Sequence, residues 1–194
     1  MRQKQNPTYA IVPWTQDYDA SEFSSDLTSI KKYIQEHAHR DVSSHTSAVF
    51  VLLETATNKI RGYYSLSSIS VVFDGLPPVM QKKLPRYPET SGVLLGRLGV
   101  DKNFSIKCSA ALGEKARLGE LLLVDAQARA LSNAKKQGSA VMVVDAEMPR
   151  PEELAAGARD PLPFYTQYGF VPLTTSPRRV VKTMRQIEKE FGMV

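Results

Sequence analysis

Residues 92–101 read GVLLGRLGVD, and residues 117–138 read RLGELLLVDAQARALSNAKKQG. The first is an apolar strand pattern interrupted by Gly96 and Gly99. Glycine inside a strand marks a bulge or a place where another backbone comes close. The second is the clearest helical pattern in the chain. Leu118, Leu121, Leu122, Val124, Ala128 and Leu131 read as its apolar face, and Gly138 is a natural stop. SAVMVVDA (139–146) follows as a buried strand. Strand, long helix and strand together place the chain among the α/β proteins.

Working outward, TYAIVPW (8–14) reads as a first strand. In 21–41, Phe23, Leu27, Ile30, Ile34 and Ala38 recur at helical spacing, with Ser24 or Ser25 as candidate caps. Residues 47–55 and 60–73 are two strands joined by the turn ATNK, a hairpin. Residues 74–91 are a proline-rich connection, with a short helix expected over Val79–Leu84. Residues 147–162 are polar, with one or two helical turns expected at Glu152–Ala158. PFYTQYGF (163–170) crowds four aromatic rings into eight residues, and 171–187 returns to strand. Residues 102–116 fit no element. There is no internal repeat or linker, so 1–194 reads as a single domain.

A chain of 194 residues with 42% hydrophobic and 23% charged residues has the composition of an ordinary soluble domain. No apolar stretch is long enough to cross a bilayer, and the N-terminus has no apolar run behind its charges. Cys108 is the only cysteine, which excludes an intrachain disulfide and a zinc-thiolate cluster. These features point to the cytoplasm and away from a membrane. A formal net charge of +5 suits a polyanionic partner such as nucleic acid or a nucleotide cofactor, and equally a mildly basic solvated surface.

The order of elements, with LLGRLGVDKNF running toward RLGELLLVDAQARAL, then VMVVDA, then PFYTQYGFVPL, resembles the GNAT superfamily of acetyl-CoA-dependent N-acetyltransferases. FSSDLTSIKKYI, GYYSLSS and LGRLGVD are similar to the subgroup of bacterial toxins that acetylate the amino group of aminoacyl-tRNA. The resemblance implies a mixed, mostly antiparallel twisted sheet flanked by helices, with splayed central strands. It implies acetyl-CoA as cosubstrate and no metal. The partners it implies are an aminoacyl-tRNA, a ribbon-helix-helix antitoxin and a second copy of the chain. Two alternatives stay open: a GNAT enzyme of a small amine or protein amine, and a degenerate GNAT-fold binding protein without activity.

The chemistry asks for backbone groups that pair with pantetheine amides like an added strand, and for a helix N-terminus that takes the pyrophosphate. Leu98, Gly99 and Val100 are the candidates for the first role. Arg117, Leu118, Gly119 and Glu120 are the candidates for the second. The family's cofactor loop reads Gln/Arg-x-x-Gly-x-Gly/Ala. Here Gly119 keeps the last small residue, Arg117 replaces the earlier glycine, and Glu114 replaces Gln/Arg. Arg117 either pairs with a phosphate or merely opens the helix. The chain also carries insertions between Phe104 and Leu118 and between Asp145 and Phe164, relative to the family.

The Tyr of the family's FYxxxGF element commonly protonates the leaving thiolate, and it matches Tyr165. A phenol, with a pKa of about 10, stays protonated at neutral pH and can donate to a thiolate. Phe164 and Phe170 are expected to hold the segment, with Phe164 and Tyr168 beside the cofactor arm or packed on the sheet. No carboxylate stands out as general base; Glu54, Asp101 and Asp145 are candidates by location only. An aminoacyl ester amine is weakly basic and needs no dedicated base. His37, His39 and His45 read as surface residues. Lys31, Lys32, Lys83, Arg86, Arg178 and Arg179, with Arg40, Lys82 and Lys182 nearby, are candidates for phosphate contacts or for plain solubility.

Overall fold

The computed structural model describes residues 9–104 and 117–192. Seven strands form one sheet: β1 Tyr9–Pro13, β2 Ala48–Glu54, β3 Lys59–Val72, β4 Glu89–Val100, β5 Val141–Asp145, β6 Val171–Pro172 and β7 Arg179–Thr183. Their order is β1-β2-β3-β4-β5-β7-β6. β1 runs antiparallel to β2, and β7 runs antiparallel to both β5 and β6. β4 and β5 are parallel, in register from Gly92↔Val141 to Leu95↔Val144. β4 runs on past that register to Val100. This is the expected mixed, mostly antiparallel α/β fold.

The chain groups into two compact units, and β3 and β4 pass through both. The first lies within Met1–Ser65 and Arg97–Leu123. Its core gathers Phe23, Ile30, Tyr33, Ile34, Ala38, Val51 and Tyr63. The apolar residues of 21–41 therefore face inward as their spacing predicts. The helix itself is shorter and irregular: α1 Thr28–Lys32, a π-helical turn Tyr33–His37, and α2 Ala38–Ser43. Neither Ser24 nor Ser25 caps it; α1 has no side-chain cap. Ser25 Oγ instead accepts from the Leu27 N–H, and Ser24 is engaged by Asp101. The ATNK turn closes the β2–β3 hairpin with Asn58 at φ +54°, a conformation asparagine tolerates.

The second unit lies within Leu66–Gly96 and Val124–Val194. Val71, Phe73, Leu76, Met80, Val141, Val143, Leu173 and Val181 form its core. The proline-rich connection contains α3 Pro78–Gln81, opened by proline at its start. The long helix, α4 Leu118–Gln137, begins in the first unit and continues in the second. Its buried side carries Leu118, Leu122, Leu123, Ala126, Gln127, Ala130 and Leu131. Leu121, Val124 and Ala128 are exposed, contrary to the apolar face read from sequence. At about 100° per residue these three fall together on the opposite side of the helix.

After β5 come α5 Pro151–Ala155 and α6 Leu162–Gln167, the latter carrying the aromatic segment. Residues 171–187 do not stay extended. The chain turns into α7 Met184–Glu190, because Thr183 and Gln186 form a capping box. Thr183 Oγ1 accepts from the Gln186 N–H at 3.2 Å, and Gln186 Oε1 accepts from the Thr183 N–H at 3.2 Å. The T-x-x-Q spacing was legible in the sequence as a helix start.

Candidate active site

Tyr165 lies on α6 in the second unit and is 6% exposed. Its ring packs edge-on against Phe164 at 5.2 Å and against Phe170 at 6.0 Å. Phe164 also meets Tyr168 edge-on at 5.0 Å. Phe170 is core, whereas Phe164 and Tyr168 are only half-buried. Burial pushes the Tyr165 phenol well above the usual tyrosine value. Among the described residues its hydroxyl makes no hydrogen bond. The phenol thus stays protonated, on a packed ring, with its proton uncommitted among the described residues.

Two basic side chains hold the ends of this six-residue helix. Arg178 clasps Asp160 through Nη2–Oδ1 at 2.6 Å and Nη1–Oδ2 at 3.2 Å, and donates Nε to the Ala146 carbonyl at 2.7 Å. Asp160 Oδ1 in turn accepts from the Leu162 N–H at 2.9 Å, at the start of α6. The Arg178 guanidinium holds the Asp160 carboxyl below the usual carboxylate range. At the far end, Lys182 is 1% exposed and donates to the Tyr168 carbonyl at 2.7 Å and to Glu190 Oε2 at 2.5 Å. Its ammonium also lies 5.6 Å from the centre of the Phe170 ring. Between these contacts Gly169 turns the chain at φ +81°, where a side chain would be strained. Lys182 sits in β7 between Val181 and Thr183; a lone lysine in an apolar run was the available signal for this buried role.

In the first unit, β4 ends at Val100 and Asp101 follows, 1% exposed. Its Oδ1 accepts from the Ser24 hydroxyl at 3.1 Å, the Ser24 N–H at 3.4 Å and the Asn103 N–H at 3.2 Å. Its Oδ2 accepts from Arg61 Nη1 at 3.3 Å. Arg61 also donates Nη2 and Nε to Glu54 Oε2, at 2.6 and 3.1 Å. Burial works to raise the Glu54 carboxyl, but the Thr57 hydroxyl and Arg61 override it and hold it below the usual range. In the second unit Asp145 is clasped by Arg179 at 2.6 and 2.9 Å. All three carboxylates considered as bases are therefore ion-paired.

Leu98 and Val100 are half-buried beside Gly99. Gly99 has its own packing reason: a Cβ there would overlap the Ile30 side chain and crowd the Tyr63 ring at 3.2 Å. Arg117 is exposed, and its carbonyl accepts the Leu121 N–H at 3.0 Å, so it opens α4. Leu118 is buried; Gly119 and Glu120 are half-buried. Glu114, Cys108 and most of the first insertion lie outside the described residues.

Lys31 and Lys32 are exposed in the first unit, Lys32 near Glu36 at 3.7 Å. Lys83 and Arg86 are exposed in the second. Arg178 and Arg179 carry the aspartate partners already described. His39 is exposed and tilts toward Trp14 at 6.1 Å. Among the described residues no group of three or more His, Cys, Asp or Glu is placed to hold a metal, and no helix is long and apolar enough to cross a membrane.

This sheet and its helices are the GNAT-like fold of the toxin acetyltransferases. No protein family's sequence profile matches the chain. A probable toxin TacT of Sinorhizobium fredii (strain NBRC 101917 / NGR234) is 21% identical over 175 residues, 90% of each chain. AtaT complexed with acetyl-methionyl-tRNAfMet is a similar structure, with TM-score 0.77 and 22% identity over 95% of this chain and 99% of that one. A tyrosine-to-phenylalanine variant of AtaT bound to the C-terminus of the antitoxin AtaR and acetyl-CoA gives TM-score 0.69 at 18% identity, over 94% and 98% of the two chains. These relatives are of the subgroup that the sequence resembles.

Proposed function

We propose that the chain is an acetyl-CoA-dependent N-acetyltransferase that acetylates the amino group of aminoacyl-tRNA, acting in the cytoplasm as the toxin of a toxin–antitoxin pair. The observation that carries this reading is Tyr165: a rigidly held, protonated phenol whose hydroxyl has no partner among the described residues. The likeness to AtaT supports the substrates, because AtaT is seen with acetyl-methionyl-tRNA and, as a variant, with acetyl-CoA and its antitoxin.

The residues present fit acetyl-CoA. β4 continues beyond its register with β5, which suits pairing of the pantetheine amides with the backbone of Leu98, Gly99 and Val100. The N–H groups at the start of the twenty-residue helix α4, at Leu118, Gly119 and Glu120, suit the pyrophosphate.

In the reaction the neutral amine attacks the thioester carbonyl. The C–N bond forms and the C–S bond breaks. Tyr165 gives its proton to the departing sulfur, and the proton released by the nitrogen restores the phenol. An aminoacyl ester amine, at or below the terminal-amine pKa of about 7.7–8.0, is substantially neutral at physiological pH. No carboxylate base is needed, in keeping with the ion pairs at Glu54, Asp101 and Asp145. For the tRNA phosphates, Lys31, Lys32, Lys83 and Arg86 are the more available cations. Arg178 and Arg179 contribute less, because aspartates already neutralise them.

The test is acetyl transfer to charged tRNA at several salt concentrations, beside a thermal shift with acetyl-CoA. A ligand of the native state raises Tm. Transfer that weakens with salt and flattens in the Lys31→Ala/Lys83→Ala/Arg86→Ala variant is expected. Transfer to simple amines alone, independent of salt, indicates a small-amine enzyme. No shift and no transfer indicate a binding protein.

A further inference from the structure

α3, the residues after it, β6 and α7 enclose a groove of about 690 Å³ in the second unit. Its floor is aliphatic: Met80 belongs to the core, Leu84 packs on it, and Val79 and Val171 stand 66% and 37% exposed. Its rim is basic: Lys83, Arg185 and Lys189 line it, and among the described residues no carboxylate does. The acids of α7 turn elsewhere, Glu188 to Lys135 at 2.7 Å and Glu190 to the buried Lys182. Lys83, Arg185 and Lys189 make no ion pair among the described residues.

We infer that this groove docks an acidic segment of a partner protein that carries apolar anchor residues. An exposed valine pair over a core floor gains by covering aliphatic surface. Three cations around it select a partner of opposite charge and reject like charge. A second copy is disfavoured, since a two-fold contact sets the same patch on itself and opposes Lys83, Arg185 and Lys189 to their own kind. Nucleic acid does not fill the groove: a phosphate can meet Lys83 at the rim, as proposed above, but it leaves the aliphatic floor uncovered and finds no aromatic ring for a base. Strand addition is limited at this edge, because β6 is two residues long and Pro172 has no N–H to donate. The occupant therefore uses side-chain anchors flanked by Asp or Glu. This inference is independent of the acetyl-transfer reading, and its readout needs no acetyl-CoA.

The experiment pans a displayed library of random twelve-residue peptides on the full chain, with counter-selection on Val79→Glu. The best peptide is then labelled and titrated by fluorescence anisotropy. Enriched peptides should be acidic with spaced Leu, Ile or Phe. Kd should weaken at least tenfold in Val79→Ser, and at least tenfold in Lys83→Glu/Arg185→Glu/Lys189→Glu. It should also weaken as salt rises. All four positions are exposed, and unchanged melting verifies that each variant folds. Enrichment of basic or uncharged peptides overturns the proposal, as does binding that neither variant moves. Self-association of the chain abolished by Val79→Ser assigns the groove to a second copy instead. Loss of tRNA binding in the charge variant, with peptide binding intact, assigns it to nucleic acid.

Discussion

The end of β4 and the helix of Tyr165 are both fastened by arginine–carboxylate pairs, yet the two knots differ in depth and in what they hold. At Asp101 the carboxylate is almost wholly buried, and one cation, Arg61, serves two acids. Three further groups, the Ser24 hydroxyl and the Ser24 and Asn103 N–H, converge there, and the Lys102 N–H donates to the Ser24 carbonyl, so the knot locks Ser24 and the start of the 102–104 turn to the strand end. At α6 the fastening is split. Arg178 and Asp160, each about a third exposed, hold the entry, and buried Lys182 holds the exit. The first arrangement makes a strand end rigid. The second fixes both ends of a short helix around one buried phenol that has no hydrogen-bond partner among the described residues.

The largest effect is expected at the buried knot. Arg61→Met removes the cation from Asp101 and Glu54 together and leaves a carboxylate inside the protein. Breaking a buried pair from one side costs about 3–5 kcal/mol. Urea unfolding should show a loss of that size, and Arg61→Met/Asp101→Asn should recover part of it. A loss below about 1 kcal/mol would make this knot no stronger than a surface pair.

Tyr165→Phe tests the other side of the comparison. The ring and its packing survive, so Tm should hardly move. Loss of the acid should lower kcat by roughly ten- to a thousandfold, with little change in acetyl-CoA affinity. Unchanged kcat would make Tyr165 a packing residue, and the α6 fastening a matter of stability alone.

Lys182→Met is expected to have an intermediate effect, divided between stability and rate. The thioether fills much of the lysine's volume but cannot serve the Tyr168 carbonyl. An unsatisfied buried acceptor costs about 1–3 kcal/mol. Because that carbonyl ends the helix of Tyr165, kcat should fall as well, with Km for acetyl-CoA less affected. If kcat is unchanged while stability drops, the exit clamp positions nothing.

The sequence shows the strands and helices of this fold because their signals are local. Alternation marks β2 and β3, and the spacing of Phe23, Ile30, Ile34 and Ala38 marks the buried side of a helix. The fastenings are not local. Asp101 and Ser24 are 77 positions apart, and Arg178 and Asp160 are 18 apart. No residue pattern in one segment tells that Arg178 will be spent on Asp160 and not on a phosphate. Gly99 illustrates the same limit. It reads as a site of backbone approach, and its nearest constraint is Ile30 from another element. Tyr165 was legible only through its resemblance to a known motif; its burial and its partner-free hydroxyl needed the fold. Lys182 and the Thr183–Gln186 box did carry local signals, a lysine in an apolar run and a cap spacing, which composition alone does not weigh.

The smallest expected effect concerns acid. Asp160 has a folded pKa below its ordinary value because Arg178 stabilises its charged form. A depressed carboxylate contributes stability above its unfolded pKa, about 3.9 for aspartate, and loses it as pH falls through the folded value. Asp160→Asn keeps an oxygen for the Leu162 N–H but removes the charge. The stability difference between parent and variant should therefore be flat above about pH 5 and shrink as the solution is acidified below pH 4. Urea unfolding at a series of pH values measures it. The pair is partly exposed, so salt should also reduce the difference. A difference that persists unchanged at low pH would mean that Asp160 holds α6 through its hydrogen bond to Leu162 rather than through its charge, and the entry clamp would then resemble an ordinary helix cap.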